Sequence, residues 1–538
     1  MLSLLRKKKN FSKANIIITI LVFSVILFMG TGYAVLVQIL DINGNSKLEI
    51  PDYRIYISDV KVLSTSGSGY ASSVPTYTNN EVALYTALPN MSSSVTYEIT
   101  IKNTGNSNAI VDYLYSANSN LWSKYKIDGI NATESIPRLS VLKVKVTVEP
   151  SENSSNDIDM NSFVMLNFAF LKASDSYSNA CTVQWDGSSS SQPVSTNIFG
   201  TDYYQISNAN EFKWFMEQVN GGNNSINAML TNDICLNNKS FTPIASNSAY
   251  AGMFDGQNRS ISGISFSRDQ KLTANTTYSV GFFMNNTGFI KNINIAGNYS
   301  DIHNVSTRTS TLYMGGVVVN NSGIIENVSF NGSINLSANA HVNCTVRDAR
   351  TTNYVGGIVS SNTGIVRGSY NNAIFTLNGS TTQACNLYER TTNVYAGAIV
   401  SNNTGFVSDS YNKASMSFTG DNESDYRSTI NASIGGVTSI NSSVVKNSYN
   451  SGSITKGTTS NKGDYNYKTD VVAENTGIVN NVYLLSGSAT NDDGVYNGAV
   501  VGTNDLINLT GSVTLGTGFK KDTLKINSGY PVLYWQKN

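Results

Sequence analysis

Four residues at one shared offset could do chemistry together. Cys344 lies 12 residues before Gly356 and Cys385 lies 12 before Gly397; the same offset before Gly315 and Gly435 gives His303 and Glu423. If the offset marks one position of a stacked repeat, consecutive members stand about 4.8 Å apart, close to the span of a disulfide. Cys344 and Cys385 then form a bridge or remain free thiols. The full His-Cys-Cys-Glu column is also a conceivable metal site, although long loops separate its members, unlike the local ligand spacing of zinc sites. Cys181 and Cys235 are the remaining cysteines and could pair near the start of the repeats.

Near the N-terminus, Asp41, Asn43, Asn45, Glu49 and Asp52 have spacings like those of a calcium loop. Ser46 occupies the sixth position, where such a loop needs Gly, and a hairpin turn at Asn43-Gly44 accounts for the same residues. Further on, Lys291, Glu326, Arg367, Ser408, Lys446 and Asn480 form a polar column whose identity changes from copy to copy, as a solvated face would. Glycoside hydrolysis calls for two placed carboxyl groups, and a lyase for a base with cations or calcium. The repeats carry few charged residues to supply them, and neither His303 nor His341 belongs to a zinc-protease helix or a nucleophile elbow. No catalytic, cofactor-binding or metal residue is assigned, and the chain is not expected to be an enzyme. Tyr370, Tyr411, Tyr449 and Tyr483 have two readings: sugar-stacking rings if exposed, or packing at a corner or in the core.

What must position these residues is a phrase repeated six times between residues 278 and 483: a small or Gly pair, an apolar run, Asn-Ser/Thr-Gly, and a second apolar run ending near Tyr. Gly315, Gly356 and Gly397 are spaced by about 41 residues and Gly435 follows after about 38, a period typical of stacked repeats. The runs are short, β-branched and bounded by Gly, Asn and Ser, and no long stretch has helical periodicity. Three such strands per copy predict a right-handed parallel β-helix with three strands per coil. Asn286, Asn321, Asn362, Asn403, Asn441 and Asn475 are its predicted corner ladder, structural rather than ligand-binding. Asn tolerates left-handed backbone and its amide bonds from coil to coil, while the Gly after it takes positive φ freely.

This text resembles the GLUG-motif family of bacterial surface proteins. The matching residues are the Gly-Gly-apolar run, the Asn-Thr-Gly turn and the following Ser-Tyr-Asn at 369–371, 410–412 and 448–450, with Trp185-Asp186-Gly187 and Gly529-Tyr530-Pro531 near the ends. The resemblance covers roughly residues 180 to 538 and implies presentation at a surface, since the family occurs in adhesins and in non-catalytic parts of large secreted proteins. The solenoid's N-terminal end needs a lid, and Asn208 to Asn220 supplies one: Asn208 caps, Glu211 stands three residues on, and Phe212, Phe215, Met216 and Val219 follow at helical spacing. At the other end, the apolar Pro531-Val532-Leu533-Tyr534-Trp535 is expected to close the last coil.

Arg6 to Lys9, an apolar run from Ile16 to Met29 and small residues up to Ala34 have the order of a secretory signal cut after Ala34. Apolar residues resume at Val35-Leu36-Val37, so residues 14 to 40 could instead be an uncleaved anchor with its basic end in the cytoplasm. Residues 1–34 are thus a signal or anchor. Residues 35–173, with alternating runs such as 53–57, 95–101 and 141–148, are an antiparallel β-sandwich. Its opening, Gly32-Tyr33-Ala34 with Leu40-Asp41-Ile42-Asn43-Gly44, looks like the camelysin-type surface and matrix proteins of Gram-positive bacteria. Residues 174–197 are a Ser-rich linker whose first half docks onto the solenoid, and 198–538 are the β-helix domain.

Lys plus Arg and Asp plus Glu are 36 each, and charged residues are only 13% of the chain, which excludes an electrostatic footprint for nucleic acid. Roughly twenty Asn-X-Ser/Thr sequons are what so Asn- and Ser-rich a sequence produces by chance, and they assign no function. The expected function is that of a non-enzymatic exported surface protein, an adhesin or platform for an extracellular glycan or protein. The alternatives are a matrix or envelope component assembled through the sandwich, and a polysaccharide lyase or hydrolase built on the β-helix.

Overall fold

The structure, a computed structural model, describes residues 54–538 apart from 106, 119–122, 131–134, 151–159, 173–184, 199–200, 273–274, 307, 343–347, 384–387, 424–426, 490–495 and 537–538. The N-terminal signal or anchor, the run from Asp41 to Asp52, and Cys181, Cys344 and Cys385 lie outside the described residues. Among the described residues, no helix is long and apolar enough to cross a membrane.

The repeats wind into a parallel β-solenoid of about six turns. One coil runs Arg308–Asn321, turns at Ser322-Gly323 and continues Ile324–Val342; the next runs Ala349–Gly356, Val359–Asn362, Ile365–Arg367 and Tyr370–Gln383. Pairing between these coils is parallel and in register, so that Gly281, Gly315, Gly356, Gly397 and Gly435 fall in line. Val317, Ile325 and Phe330 from one coil and Ile358, Val366 and Phe375 from the next fill the interior. Burial of these β-branched and aromatic side chains between stacked strands is the main stabilising term.

Two sequence expectations need correction at the corners. The glycine after each ladder asparagine is not in the left-handed region. It is needed for close approach instead: a Cβ on Gly323, Gly364 or Gly405 would strike the carbonyl of the equivalent glycine one coil earlier. The left-handed residues sit at a second corner, directly after the polar column, at Asn292, Asn327, Gly368, Asp409, Asn447 and Asn481, with φ from 46 to 60°. Asn, Asp and Gly tolerate that conformation best, which is why those types recur there.

The first and third strands of each coil are also longer than the sequence implies. They run on past the apolar core as two facing sheets, an arm whose inner side alternates with its outer side along each strand. Near the core the inner side is apolar, as at Leu336 and Val355; farther out it is polar, with Asp301, His303, Thr351, Asn353, Thr392 and Asn422 all at 0% exposure.

The N-terminal lid is the helix Ala209–Asn220. The Asn208 side chain accepts from the Glu211 backbone N–H, and the Glu211 carboxylate in turn accepts from the Ser207 N–H and hydroxyl. Phe212, Phe215, Met216 and Val219 are buried on the first coils, so this helix covers a face that would otherwise be wet and apolar. The stretch read as a linker belongs to this cap from Trp185 onward. Trp185 is buried and donates its backbone N–H to Asn237, and Val194–Ile198 pairs antiparallel with Thr201–Ile206.

The sandwich consists of a sheet in the order Ile55–Ser66, Ser94–Asn103, Ser140–Pro150, Ser123–Asp128, and a second containing Glu81–Leu88, Met160–Lys172 and Ala109–Asn118. Tyr97, Ile99, Val146, Leu84, Val164 and Phe168 fill the space between them. It packs directly on the solenoid. Met165 and Phe163 meet Tyr203, Met229 and Met253, and the Lys126 ammonium lies 3.5 Å from the centre of the Tyr534 ring.

Candidate functional site

Each column that the sequence singles out has a definite place. The six asparagines Asn286, Asn321, Asn362, Asn403, Asn441 and Asn475 stand in one line, each Nδ2 donating to the next Oδ1 at 2.8 Å. The same Nδ2 groups also reach a carbonyl two residues on, as from Asn362 to Gly364 at 3.2 Å. The ladder spends its hydrogen-bonding capacity internally and offers little to a ligand. The Ser-Tyr-Asn copies divide their residues in the same spirit. Asn371, Asn412 and Asn450 make a second buried ladder, at 2.9 and 2.7 Å, while the tyrosines between point the other way.

The polar column is a solvated face only at its far end, where Asn480 is exposed and Lys446 half-buried; the rest is covered. It begins one coil earlier, at Asp255, and the order Asp255, Lys291, Glu326, Arg367 alternates in charge along the register. Lys291 pairs with Asp255 at 3.2 Å and Arg367 with Glu326, and Asp255, Lys291, Arg367 and Ser408 are buried. The cover is the sandwich. Tyr125, on its strand Ser123–Asp128, is desolvated there, and the carboxylates of Glu326 and Asp255 add to that, holding its phenol well above the ordinary range. Burial likewise raises the Asp255 carboxyl, with Lys291 opposing the shift. These ions are paired and capped, so they hold two domains together rather than face a substrate.

Tyr370, Tyr411, Tyr449 and Tyr483 form a stacked column, with ring centroids 5.1 Å apart over the first two steps. Tyr411 and Tyr449 have 0% exposure and Tyr483 has 3%, which rules out sugar stacking there. The C-terminal segment lies over them. Phe519 and Leu533 pack on the rings, Tyr411 bonds to the Gln536 side chain at 3.0 Å, and Tyr449 donates to the Pro531 carbonyl. Trp535 reaches back to Tyr370 and donates to the Gly368 carbonyl at 2.7 Å. The apolar Pro531 to Trp535 stretch therefore straps several coils from the side instead of closing the last one. The last coil is followed by Ala499–Val501, which pairs with Ile478–Leu485, and by the short helix Thr503–Asn508.

His303 does not share a column with Glu423. In register it stacks on Ala338, which stacks on Gly379 and then Gly420. Counting back from the glycines fails because the connection between Val342 and Ala349 is longer than that between Val305 and Arg308. Cys344 and Cys385, whose pairing was an expectation, are outside the described residues, while Cys235 is a disulfide cysteine. No group of three metal-ligating side chains occurs among the described residues.

The sequence also conceals a buried relay. His303 Nδ1 lies 2.8 Å from Asp301 Oδ1 and its Nε2 lies 2.8 Å from the Thr351 hydroxyl, the connectivity of a hydroxyl nucleophile, a base and an orienting carboxylate. All three residues are completely buried between the arm sheets. Arg268 closes the end: it pairs with Asp301 at 2.9 Å and stacks 3.2 Å over Tyr278, which itself donates to Asp301. A reacting bond would need space beside Thr351, and there every neighbour is protein.

One column stays open. Tyr313, Tyr354 and Tyr395 stack at 5.1 and 5.3 Å on the outer side of the other sheet, each partly exposed. The signal for them is legible in the sequence: a Tyr two residues before the Gly in three successive copies.

No protein-family profile matches the chain, and no curated protein matches it. Among solved structures, an IgA1 protease aligns at 12% identity and a TM-score of 0.26, over 84% of this chain and 31% of that one. The chain thus spans about a third of that protein's length.

Proposed function

We propose that the chain is an exported, non-enzymatic surface protein whose solenoid is a stiff binding platform for a glycan or protein ligand. The observation that carries this reading is that, among the described residues, the groups arranged most like catalytic ones are buried or paired. Asp301, His303 and Thr351 are sealed in the arm, and Asp255, Lys291, Glu326 and Arg367 are paired beneath the sandwich. Export is supported by the basic and apolar order of residues 6 to 34 and by the disulfide at Cys235, a bond that persists in oxidising compartments. Rigidity suits presentation: side-chain ladders and in-register strands leave the coils little freedom to move separately. The sandwich, docked rather than held on a free linker, serves as a buttress.

The test is a screen of the full chain against immobilised glycans and extracellular-matrix proteins, run beside an assay for new reducing ends or unsaturated products on the same polysaccharides. Saturable binding without cleavage is expected. Turnover of any polysaccharide would overturn the non-enzymatic reading, and failure to bind across the screen would overturn the platform.

A further inference from the structure

We infer that Tyr313, Tyr354 and Tyr395 form the floor of a binding strip for an extended, neutral, β-linked polysaccharide lying along the solenoid axis. This site rests on the platform reading above and adds its place and ligand class. The rings are nearly parallel, at 10 and 18°, and their centroids are 5.1 and 5.3 Å apart. Each ring is partly exposed. The step from ring to ring is close to the advance of one hexose in a fully extended β-linked chain. A glycan aligned with the axis therefore meets an equivalent ring at each sugar.

The strip has polar margins of the right kind. On one side run Thr311, Thr352, Asn393, Asn431 and Asn466 in register. Asn393 donates to Thr352 at 3.1 Å, Asn431 to Asn393 at 2.7 Å and Asn466 to Asn431 at 2.8 Å. Each amide uses one N–H in the ladder and keeps another for a sugar hydroxyl. On the other side the next position on the face is Gly315, Gly356 or Gly397, where a Cβ would run into the carbonyl of Val318, Val359 or Val400. Backbone, not a mobile side chain, borders the rings there, so the strip is preorganised at small entropic cost.

Charge selects among extended polymers. Along the strip Arg350 and Lys468 stand against Asp464 and Glu474, a balance of two positive and two negative groups. A polyanion needs a row of cations, which the described residues of this face do not supply.

The experiment measures binding of the full chain to cellohexaose and chitohexaose by calorimetry. Maltohexaose, neutral but coiled, and polygalacturonate, extended but anionic, are the comparators. Both β-linked probes should bind more tightly than either comparator. Tyr354→Ala should weaken them by about tenfold or more, as truncation of a central aromatic contact does. Tyr395→Ala provides a second variant if the first unfolds, and Ile374→Ala, on the outer side of the opposite sheet, should leave affinity unchanged. Undiminished binding by the folded tyrosine variants would overturn this strip while leaving the platform standing. Preference for polygalacturonate or maltohexaose, or no binding of the β-linked probes by the wild-type chain, would overturn the ligand class. Only failure across the wider screen would remove the platform itself.

Discussion

Tyr370, Tyr411 and Tyr449 on one face of the solenoid, and Tyr313, Tyr354 and Tyr395 on another, stack with nearly the same geometry, at 5.1 to 5.3 Å between rings. What differs is the cover. The first column lies under the C-terminal strap and has its hydroxyls bound to Gln536 and Pro531; the second has solvent over it. Stacking in register follows from the repeat in both cases, so the repeat cannot by itself tell a structural column from a binding one. The cover decides, and it comes from residues more than 80 positions away in the chain.

The largest test of this contrast is a pair of truncations. Tyr449→Ala removes a fully buried ring, leaves a cavity under Phe519 and strips Asn527 of a partner at 2.7 Å. A loss of about 4 kcal/mol is expected from urea denaturation. Tyr354→Ala removes a ring that water already touches, and about 1 kcal/mol is expected. Equal losses would mean that the two columns do the same structural work and would remove the contrast.

The two amide ladders extend it at a smaller scale. Asn362 is buried, accepts from Asn321 and donates to Asn403, so Asn362→Ala orphans groups on both neighbours and should cost about 3 kcal/mol. Asn393 makes comparable contacts on the open margin, where water replaces them, and Asn393→Ala should cost under about 1 kcal/mol. Denaturation midpoints of the two variants check this directly, and a costly Asn393→Ala would show that the open margin is as closed as the corner.

How much of this could be read in advance follows the same division. Asn286 to Asn475 were legible because each coil needs an amide at that corner, so the requirement is written once per repeat. Phe212, Phe215, Met216 and Val219 were legible because a local period sets which side of a helix is buried. The burial of Lys291 and Arg367 was not, since their cover is Tyr125 of another domain. The apolar character of Leu533 and Trp535 announced a buried destination but not which one, because the Tyr411 and Tyr449 column is far off in sequence. The places expected for His303 and Glu423 failed for a related reason: spacing maps onto register only within a strand, and a loop of changed length intervenes.

Alkaline titration separates the columns without any mutation. Burial, followed by neighbouring tyrosines and Glu474, raises Tyr354 and Tyr395 above 10.0, and burial raises Tyr411 and Tyr449 well above it. A folded-state pKa above the unfolded value means that the unfolded chain releases the proton first. The associated stability is therefore complete below about pH 10 and is lost as pH climbs from there toward the folded value. The shift at Tyr411 and Tyr449 is the larger, so they keep their protons until the strap opens. Tyrosinate absorbance followed together with circular dichroism should show an early reversible rise while the fold persists, and then a second rise coincident with unfolding. Tyr411→Phe with Tyr449→Phe should shrink only the second rise, and Tyr354→Phe with Tyr395→Phe only the first. A single rise, complete before the structure is lost, would mean that the strap does not shield its column, and the two tyrosine columns would then be chemically alike.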